Sequence, residues 1–252
     1  MMKRVIINAD DCGISKYVND SIENAIRLNK ISSTSIMANM SSFEGAVALF
    51  NQYRDCVSFG FHLNLSEGVP IRYSQYLLDI GFYIEKDNEI NFNGIKFLRR
   101  FIDNKGLIEI EKEIDCQICK ILDNGVKISH IDGHQHIHTA NFMLCLLPKI
   151  LEKYKINKVR NIRNLMPISL DRCIRDMWSM YIKNRYCGIV MTDIFCSYTD
   201  YYNNHNIRNN RYDTIELMCH PGHDKFKEEE ILLLNNNILE ELNLKMITYT
   251  DL

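Results

Sequence analysis

Histidine and aspartate side chains are concentrated in four short segments of the 252-residue chain. The first contains the adjacent pair Asp10 and Asp11, the second contains His62, and the other two are 130–138 and 220–223. Imidazole and carboxylate groups bind Zn²⁺ and related divalent ions, and they also act as general acids and bases. The four segments therefore predict a site for metal-assisted hydrolysis.

The adjacent carboxylates of Asp10 and Asp11 predict two different roles. Ionised side by side, they would repel each other unless a cation or a shared proton relieved the repulsion. One carboxylate that binds a metal ion and one that acts as a general base would meet this requirement. The alternative is that the pair caps the next helix, which is a common use of aspartate. Gly13 permits the tight turn into that helix.

The segment richest in histidine has His134, His136 and His138 at alternate positions. In an extended chain these three imidazoles share one face. Asp132 would orient one of them by accepting a hydrogen bond from the ring nitrogen that does not bind the metal. The alternative is a histidine-rich loop that binds no metal.

His62 and His220 each have a defined local setting. His62 alternates with apolar residues in a predicted strand, so it is either a ligand or a buried core residue. His220 precedes Pro221 and Gly222, which fix a sharp turn after another predicted strand. The alternative for His220 is an ordinary turn that ends a strand.

The elements that must position these side chains are repeated strand–helix units. Apolar runs alternate with longer helical patterns, which favours a parallel sheet covered by helices. Strands are predicted at 3–9, 31–40, 57–65, 127–132, 158–162, 189–196, 214–219 and 245–249. Helices are predicted from Ser15 onward and at 43–53, 107–124, 140–154, 169–184 and 227–242.

Seven or eight such units predict a (β/α) barrel of the TIM-barrel type, with a distorted or seven-stranded form left open. A doubly wound open sheet is the alternative. The strand ends of a barrel meet on one face, where barrel enzymes build their active sites. The histidines and aspartates lie at or just after predicted strand ends, so we expect them on this face. No G-x-G-x-x-G motif follows the first strand, so a dinucleotide site is not predicted.

Composition excludes several other functions. The net charge of −2 provides no field that would attract nucleic acid or an anionic membrane. No apolar run approaches the roughly 18 residues of a membrane helix. The N-terminal apolar run, Val5 to Ile7, is too short for a secretion signal, so we expect a cytoplasmic protein. Nine scattered cysteines suit a reducing compartment.

One domain is predicted for residues 1–252, because no linker rich in proline, glycine or serine interrupts the pattern. Two irregular stretches, 66–105 and 197–213, break the alternation of strands and helices. Each follows a strand that reaches the predicted active face. We interpret both stretches as insertions that form the walls of a substrate cleft.

The four segments read IINADDCGIS at 6–15, GFHLNLSEG at 60–68, HIDGHQHIH at 130–138 and ELMCHPG at 216–222. In this order and spacing, the chain resembles the YdjC-like carbohydrate deacetylase family, which includes chitooligosaccharide deacetylases. The resemblance extends from the first strand to the closing ITYTDL. It implies a (β/α)-barrel-like fold and one bound divalent metal ion, usually Mg²⁺.

The resemblance also implies roles for particular residues. Asp11, His62 and His134 match the metal-binding positions, and Asp10 matches the carboxylate assigned as general base. His220 is inferred to be a proton donor, with His138 as the alternative donor. Further residues are expected to contact the substrate or to support the ligands: Asp132, His136, His138, Asn64 and Arg163.

The expected function is therefore metal-dependent removal of acetyl groups from N-acetylated amino sugars or oligosaccharides. Two alternatives are a metal-dependent phosphoesterase or amidohydrolase that acts on another small substrate, and a non-catalytic module that binds sugar or metal. By ligand type the site also suits Zn²⁺, Mn²⁺ or Co²⁺. The expected partner is a small-molecule or oligosaccharide substrate, without nucleic acid or membrane, and a homodimer is compatible with this fold.

Overall fold

The computed structural model of the chain describes residues 2–94, 102–165, 169–185, 188–205 and 212–252. The strands are β1 Lys3–Cys12, β2 Ser33–Ile36, β3 Ser58–Leu63, β4 Tyr83–Lys86, β5 Glu89–Phe92, β6 Ile131–Gly133, β7 Ile194–Ser197, β8 Thr214–Cys219 and β9 Leu244–Met246. The helices are α1 Lys16–Arg27, α2 Phe43–Tyr53, α3 Gln75–Asp79, α4 Asn104–Asp123, α5 Met143–Tyr154, α6 Leu170–Arg185, α7 Tyr198–Asn204, α8 Lys227–Asn235 and α9 Ile238–Glu241.

Seven parallel strands form one curled sheet in the order β6-β3-β2-β1-β8-β7, with β9 beside the beginning of β1. Parallel bridges join Ile131 to Val159 and Lys158 to Val190, so residues 158–159 lie between β6 and the segment before β7. These bridges continue the curl towards closure. The predicted barrel class is confirmed, and the barrel is distorted at this point.

Because of this distortion, the predicted strands 158–162 and 189–196 are wrong in extent. Only isolated bridges form at 158–159 and 190, and the regular strand β7 begins at Ile194. Here asparagine side chains replace the backbone ladder: Asn161 donates to the carbonyl of Thr192, and Asn164 donates to the carbonyl of Asp193. Asn164 also accepts from the backbone of Phe195. Side chains that bond to nearby backbone groups compete with regular strand pairing.

A bulge in β1 determines where Asp10 and Asp11 point. Between Ala9 and Cys12, β1 has one more residue than its partner β2. Neighbouring side chains of a regular strand point to opposite faces, whereas a bulge re-aims one of them. Asp11 adopts a left-handed backbone conformation with φ of 68°. As a result, both carboxylates line the same cavity.

Helix α1 is capped by Ser15, whose side chain accepts a hydrogen bond from the backbone of Val18. This agrees with the predicted helix start. The alternative that Asp10 and Asp11 cap the helix is therefore wrong. Both carboxylates remain free for other contacts.

The stretch 66–105 is more regular than predicted. It contains helix α3 and the antiparallel hairpin of β4 and β5. Phe82, Tyr83 and Phe92 are buried there with their rings in mutual contact, so they belong to the hydrophobic core. Residues 95–101 of this stretch lie outside the described part of the chain.

The stretch 197–213 was predicted to be irregular, and this is wrong for its first part. Helix α7 begins after Ser197, whose side chain accepts from the backbone of Asp200. Tyr198 and Tyr201, three residues apart, are both buried. This short apolar stripe is easily missed among polar residues. Residues 206–211 are not described.

Near the C-terminus, the predicted helix 227–242 is two helices. Asn236 has an extended backbone and separates α8 from α9. The last predicted strand, 245–249, is shorter, because β9 ends at Met246 and Tyr249 begins a 3-10 turn. Within the described ranges, every helix falls short of the length and apolar character needed to cross a membrane.

Candidate active site

Three strand ends bring Asp11, His62 and His134 together. Asp11 Oδ1 lies 3.0 Å from His62 Nε2 and 2.8 Å from His134 Nδ1. Asp11 and His62 are almost completely buried, and His134 is largely buried. Oxygen and nitrogen atoms of all three lie close enough to hold one metal ion.

The geometry of these donor atoms fits a divalent ion. Two neighbouring donors that each bind an ion at about 2.0–2.1 Å lie roughly 3 Å apart, in tetrahedral or octahedral coordination. The measured separations from Asp11 are 2.8 and 3.0 Å. One carboxylate and two imidazoles suit Zn²⁺, Mn²⁺ or Co²⁺ by ligand type.

Each imidazole is also held by a carboxylate on its other ring nitrogen. Asp132 Oδ1 lies 2.8 Å from His62 Nδ1, and Glu67 Oε2 lies 3.0 Å from His134 Nε2. Such outer carboxylates fix the orientation of ligand histidines and strengthen them as donors. Asp132 thus supports a histidine of the cluster, but this histidine is His62 and not one of His134, His136 and His138, for which the sequence predicted the contact.

Electrostatics favour the ionised form of Asp11. Burial alone would raise the pKa of this carboxyl, but bonds to His134, His223 and His62 bring it well below its usual value. Burial opposes charge on His62, yet Asp132 and Asp11 raise the pKa of this imidazole to about 10. The pKa of His134 is raised to about 9, against burial, by Asp11 and Glu67. The ionised carboxylate of Asp11 is thus the electrostatic centre of the cluster, and both imidazoles are held close to it.

Asp10 is held by a guanidinium group. Arg160 Nη1 and Nη2 donate to its two oxygens at 2.6 and 2.7 Å. Burial would raise the pKa of Asp10, but the charge and hydrogen bonds of Arg160 lower it below the ordinary value. Asp10 is therefore ionised near neutral pH and able to accept a proton.

Arg160 is completely buried and is not among the residues that the sequence predicts for the site. Besides Asp10, it contacts Asp132 at 2.9 Å and Glu216 at 2.6 Å. One cation thus holds three buried carboxylates. A basic residue inside the predicted strand 158–162 was the available signal, because a charge inside a barrel needs partners.

His220 faces Asp10 across the cavity, with Nε2 at 4.0 Å from Asp10 Oδ2. Its other nitrogen, Nδ1, lies 3.1 Å from Glu229 Oε1, and its ring stacks on Phe226. Burial would lower the pKa of His220, but Glu229 and Asp10 raise it overall. An imidazole with a raised pKa beside an ionised carboxylate forms an acid–base pair.

The remaining predicted residues are placed differently. His136 and Arg163 line the cavity, and Arg163 forms an ion pair with Asp200. Asn64 instead accepts from the backbone of Ser66 and Glu67 and so shapes the loop that carries Glu67. His138 is buried away from the cavity, and burial lowers its pKa to about 3.

The cavity at this face has a volume of about 750 Å³. Its lining includes the predicted ligands, the acid–base pair and a rim of polar and aromatic side chains: Asp10, Asp11, Tyr17, His62, Glu67, His134, His136, Arg163, His220, His223 and Phe226. A cavity of this size accommodates a small ligand such as a sugar.

Glu67 and Glu229 are site residues that sequence reasoning missed, and His223 lies in the predicted segment 220–223 but was given no role of its own. His223 Nε2 lies 3.1 Å from Asp11 Oδ2, the oxygen that faces away from His62 and His134. Glu67 and Glu229 reach the site with long side chains from a loop and from α8. His223 lies two positions after Pro221, so the turn at 220–223 was the signal for it.

The curled parallel sheet, with ligand-type and acid–base side chains at its C-terminal strand ends, defines a (β/α)-barrel enzyme of the hydrolase class. The family model described as YdjC-like protein matches residues 4–246, and the chain belongs to that family. The resemblance found in the four sequence segments is therefore confirmed.

Named relatives agree with this family, and a solved structure agrees with the fold. A carbohydrate deacetylase from Halalkalibacterium halodurans is 30% identical over 87% of this chain and 85% of its own length. One from Clostridium beijerinckii is 26% identical over 99% and 100%. A candidate cellobiose-phosphate cleavage protein from Enterococcus faecalis V583 has the same fold, with a TM-score of 0.77 and 19% identity, over 100% of this chain and 99% of its own.

Proposed function

We propose that this protein is a metal-dependent carbohydrate deacetylase, which hydrolyses the acetamido group of N-acetylated amino sugars or oligosaccharides. The observation that carries the proposal is one cavity that contains both a metal-type cluster and an opposed acid–base pair. Asp11, His62 and His134 form the cluster, and Asp10 and His220 form the pair, 4.0 Å apart. The names of the relatives support a sugar substrate.

Asp11, His62 and His134 would hold the metal ion. When bound, a divalent ion would polarise the acetyl carbonyl and stabilise negative charge on its oxygen. Family resemblance favours Mg²⁺, whereas two imidazole donors are more typical of Zn²⁺, Mn²⁺ or Co²⁺. Asp132 and Glu67 orient the two imidazoles from behind.

Asp10 and His220 would carry the protons. Asp10 accepts a proton from the attacking water as the oxygen of that water bonds to the carbonyl carbon. His220 then donates a proton to the nitrogen as the carbon–nitrogen bond breaks, which releases acetate and a free amine. We assign this role to His220 rather than His138, because His138 lies away from the cavity and is neutral.

The substrate would lie across the cavity between Asp11 and the rim. His136 and Arg163 are available there for contacts to sugar hydroxyls. We also propose that the single domain 1–252 uses the stretches 66–105 and 197–213 as cleft walls. Of these, Glu67 lines the cavity and Asp200 holds the lining residue Arg163. A homodimer and a cytoplasmic location stay predictions.

The geometry favours one metal ion over the two that many phosphoesterases use. Asp10, His62 and Asp132 form a second group with ligand-type spacing. However, Arg160 occupies both oxygens of Asp10 and also contacts Asp132. A second cation there would have to displace a buried guanidinium group.

A substrate panel tests the proposed function. The metal-loaded protein should release acetate from at least one N-acetylated amino sugar or oligosaccharide, and it should release no phosphate from phosphate esters. Phosphate release without acetate release would favour the phosphoesterase alternative. Sugar binding without any hydrolysis would favour the binding module.

Replacement of His134 or His62 by alanine should remove the bound metal while the fold persists. The loss in affinity should exceed the roughly 10–100-fold that removal of an outer carboxylate costs, and Glu67→Gln should show that smaller loss. Elemental analysis after dialysis measures the metal content. His205→Ala, which changes a histidine outside the cavity, is the control. Full metal occupancy in His134→Ala would refute the ligand assignment.

Glu229→Gln should shift the alkaline limb of the kcat–pH profile to lower pH. The pKa of His220 is raised, so its protonated form is present below that pKa and is lost as pH rises through it. Loss of the Glu229 charge lowers the pKa, and His220 then loses its proton at lower pH. Rates measured from pH 5 to 10 would show this. An unchanged alkaline limb would mean that His220 is not the acid.

A further inference from the structure

A buried polar column runs from the end of the chain to Asp10 through the interior of the barrel. Tyr249, in the turn after β9, donates its hydroxyl hydrogen bond to Glu216 of β8. Glu216 Oε1 accepts from Arg160 Nε at 2.6 Å, and the terminal nitrogens of Arg160 hold Asp10. Each of these four residues is at most 3% exposed.

Tyr249 is fixed independently of Glu216. Its backbone N–H donates to Ser58 Oγ at 3.1 Å, and its carbonyl accepts from Lys158 Nζ. Its ring stacks on the buried imidazole of His130, with centroids 3.6 Å apart and planes 8° apart. The hydroxyl is therefore presented to Glu216 from a rigid support.

Stability alone does not account for this column. Barrel interiors are usually filled by layers of branched apolar side chains. Buried charges carry a desolvation cost, and well-packed apolar replacements are often equally stable or more stable. A polar column that ends at the general base, Asp10, is better explained as a device that orients the guanidinium group of Arg160.

The guanidinium group is planar, so a bond at one edge sets the direction of the other. Glu216 occupies the Nε edge, while Asp10 and Asp132 occupy the terminal nitrogens. Without a firm partner at Nε, the guanidinium plane would be held only by Asp10, Asp132 and the ring of Phe195, so the direction of its paired bonds to Asp10 would be less well fixed.

We propose that Tyr249 and Glu216 are positioning residues for the general base. Tyr249 fixes Glu216, Glu216 fixes the plane of Arg160, and Arg160 presents Asp10 to the cavity. The C-terminal turn thus contributes to catalysis from the opposite end of the barrel without touching the substrate. This inference rests on the proposed deacetylase function and on Asp10 as its base.

Tyr249→Phe tests the inference, because it keeps the ring on His130 and removes only the hydroxyl. We expect kcat to fall roughly tenfold, as for loss of one aligned hydrogen bond to a charged group. KM and metal affinity should stay within about twofold, because the cavity and the ligands are untouched. Tyr53→Phe, which removes another tyrosine hydroxyl that donates to a glutamate but lies outside both the column and the cavity, should leave kcat unchanged.

Two further variants separate positioning from a general loss of stability. Glu216→Gln should reproduce the fall in kcat, and it decides the matter if Tyr249→Phe does not fold. In an Asp10→Asn background, Tyr249→Phe should cause no additional loss of kcat, because the base on which it acts is already gone. A purely structural role would give the same further loss in both backgrounds.

The possible outcomes distinguish a failure of this inference from a failure of the proposed deacetylase function. An active wild-type enzyme with unchanged kcat in folded Tyr249→Phe or Glu216→Gln would overturn the inference alone. A fall in kcat that persists in the Asp10→Asn background would overturn it as well. Absence of acetate release by the wild-type enzyme on every substrate would overturn the proposed function and the inference with it.

Discussion

Asp10→Asn should lower kcat by about 10²–10⁴-fold, the usual cost of losing a general base. Asparagine keeps the size of the side chain and one acceptor oxygen for Arg160, but it cannot take the proton of the attacking water. This corresponds to roughly 3–5 kcal/mol of activation barrier. The bound metal should remain, because the ligand cluster of Asp11, His62 and His134 does not use Asp10. Steady-state acetate release and metal content are the two measurements.

Asp11→Asn is the matched comparison for this prediction. It makes the same chemical change at the neighbouring position, and it should lose metal first and activity as a consequence. A comparison of the two variants therefore shows which aspartate is the general base and which is the metal ligand. Near-normal turnover in Asp10→Asn, or metal loss as complete as in Asp11→Asn, would mean that Asp10 has another role.

Arg160→Met should destabilise the fold by at least about 3–5 kcal/mol near neutral pH, the usual cost of removing one partner of a buried ion pair. Three buried carboxylates, those of Asp10, Asp132 and Glu216, would lose their common cation. Urea denaturation monitored by circular dichroism measures the change. Arg160→Lys keeps the charge but not the planar fork, so it should fold better and still lose activity.

The pH dependence gives this prediction a second test. In the folded protein the pKa values of Asp10 and Asp132 are lowered against burial, chiefly by Arg160. Stability from a lowered carboxyl pKa is present above the unfolded pKa of about 4 and is lost as pH falls. Without Arg160, burial raises the pKa values of these carboxyl groups, so the difference in stability between wild type and Arg160→Met should narrow as pH is lowered from 7. Equal stability of the two proteins at pH 7 would contradict the role of Arg160.

Sequence patterns predicted the fold where strands are apolar and uninterrupted. Helix α2 and strand β8 have the predicted boundaries. The helix has a clear apolar stripe at helical spacing, and the strand, buried on both faces, is mostly apolar. The segment 158–162 failed as a predicted strand. Its pairing depends on the side chains of Asn161 and Asn164, which reach across to another part of the chain.

The site was predictable to the extent that it depends on strand ends. Asp11, His62 and His134 lie together because parallel strands end at one face. The bulge that turns Asp10 and Asp11 into the same cavity has no sequence pattern of its own, and it depends on pairing with β2. Arg160 and Glu67 act through long side chains, so their contacts follow from tertiary packing and not from local spacing.

Metal removal and reconstitution test the central claim most directly. The protein is treated with chelator, then titrated with Zn²⁺, Mn²⁺, Co²⁺ or Mg²⁺, and acetate release from its best N-acetylated sugar is measured at each addition. We predict that chelation abolishes acetate release and that full activity returns at one equivalent of metal per chain. Activity that survives complete metal removal, or that requires two equivalents, would contradict a deacetylase built on Asp11, His62 and His134.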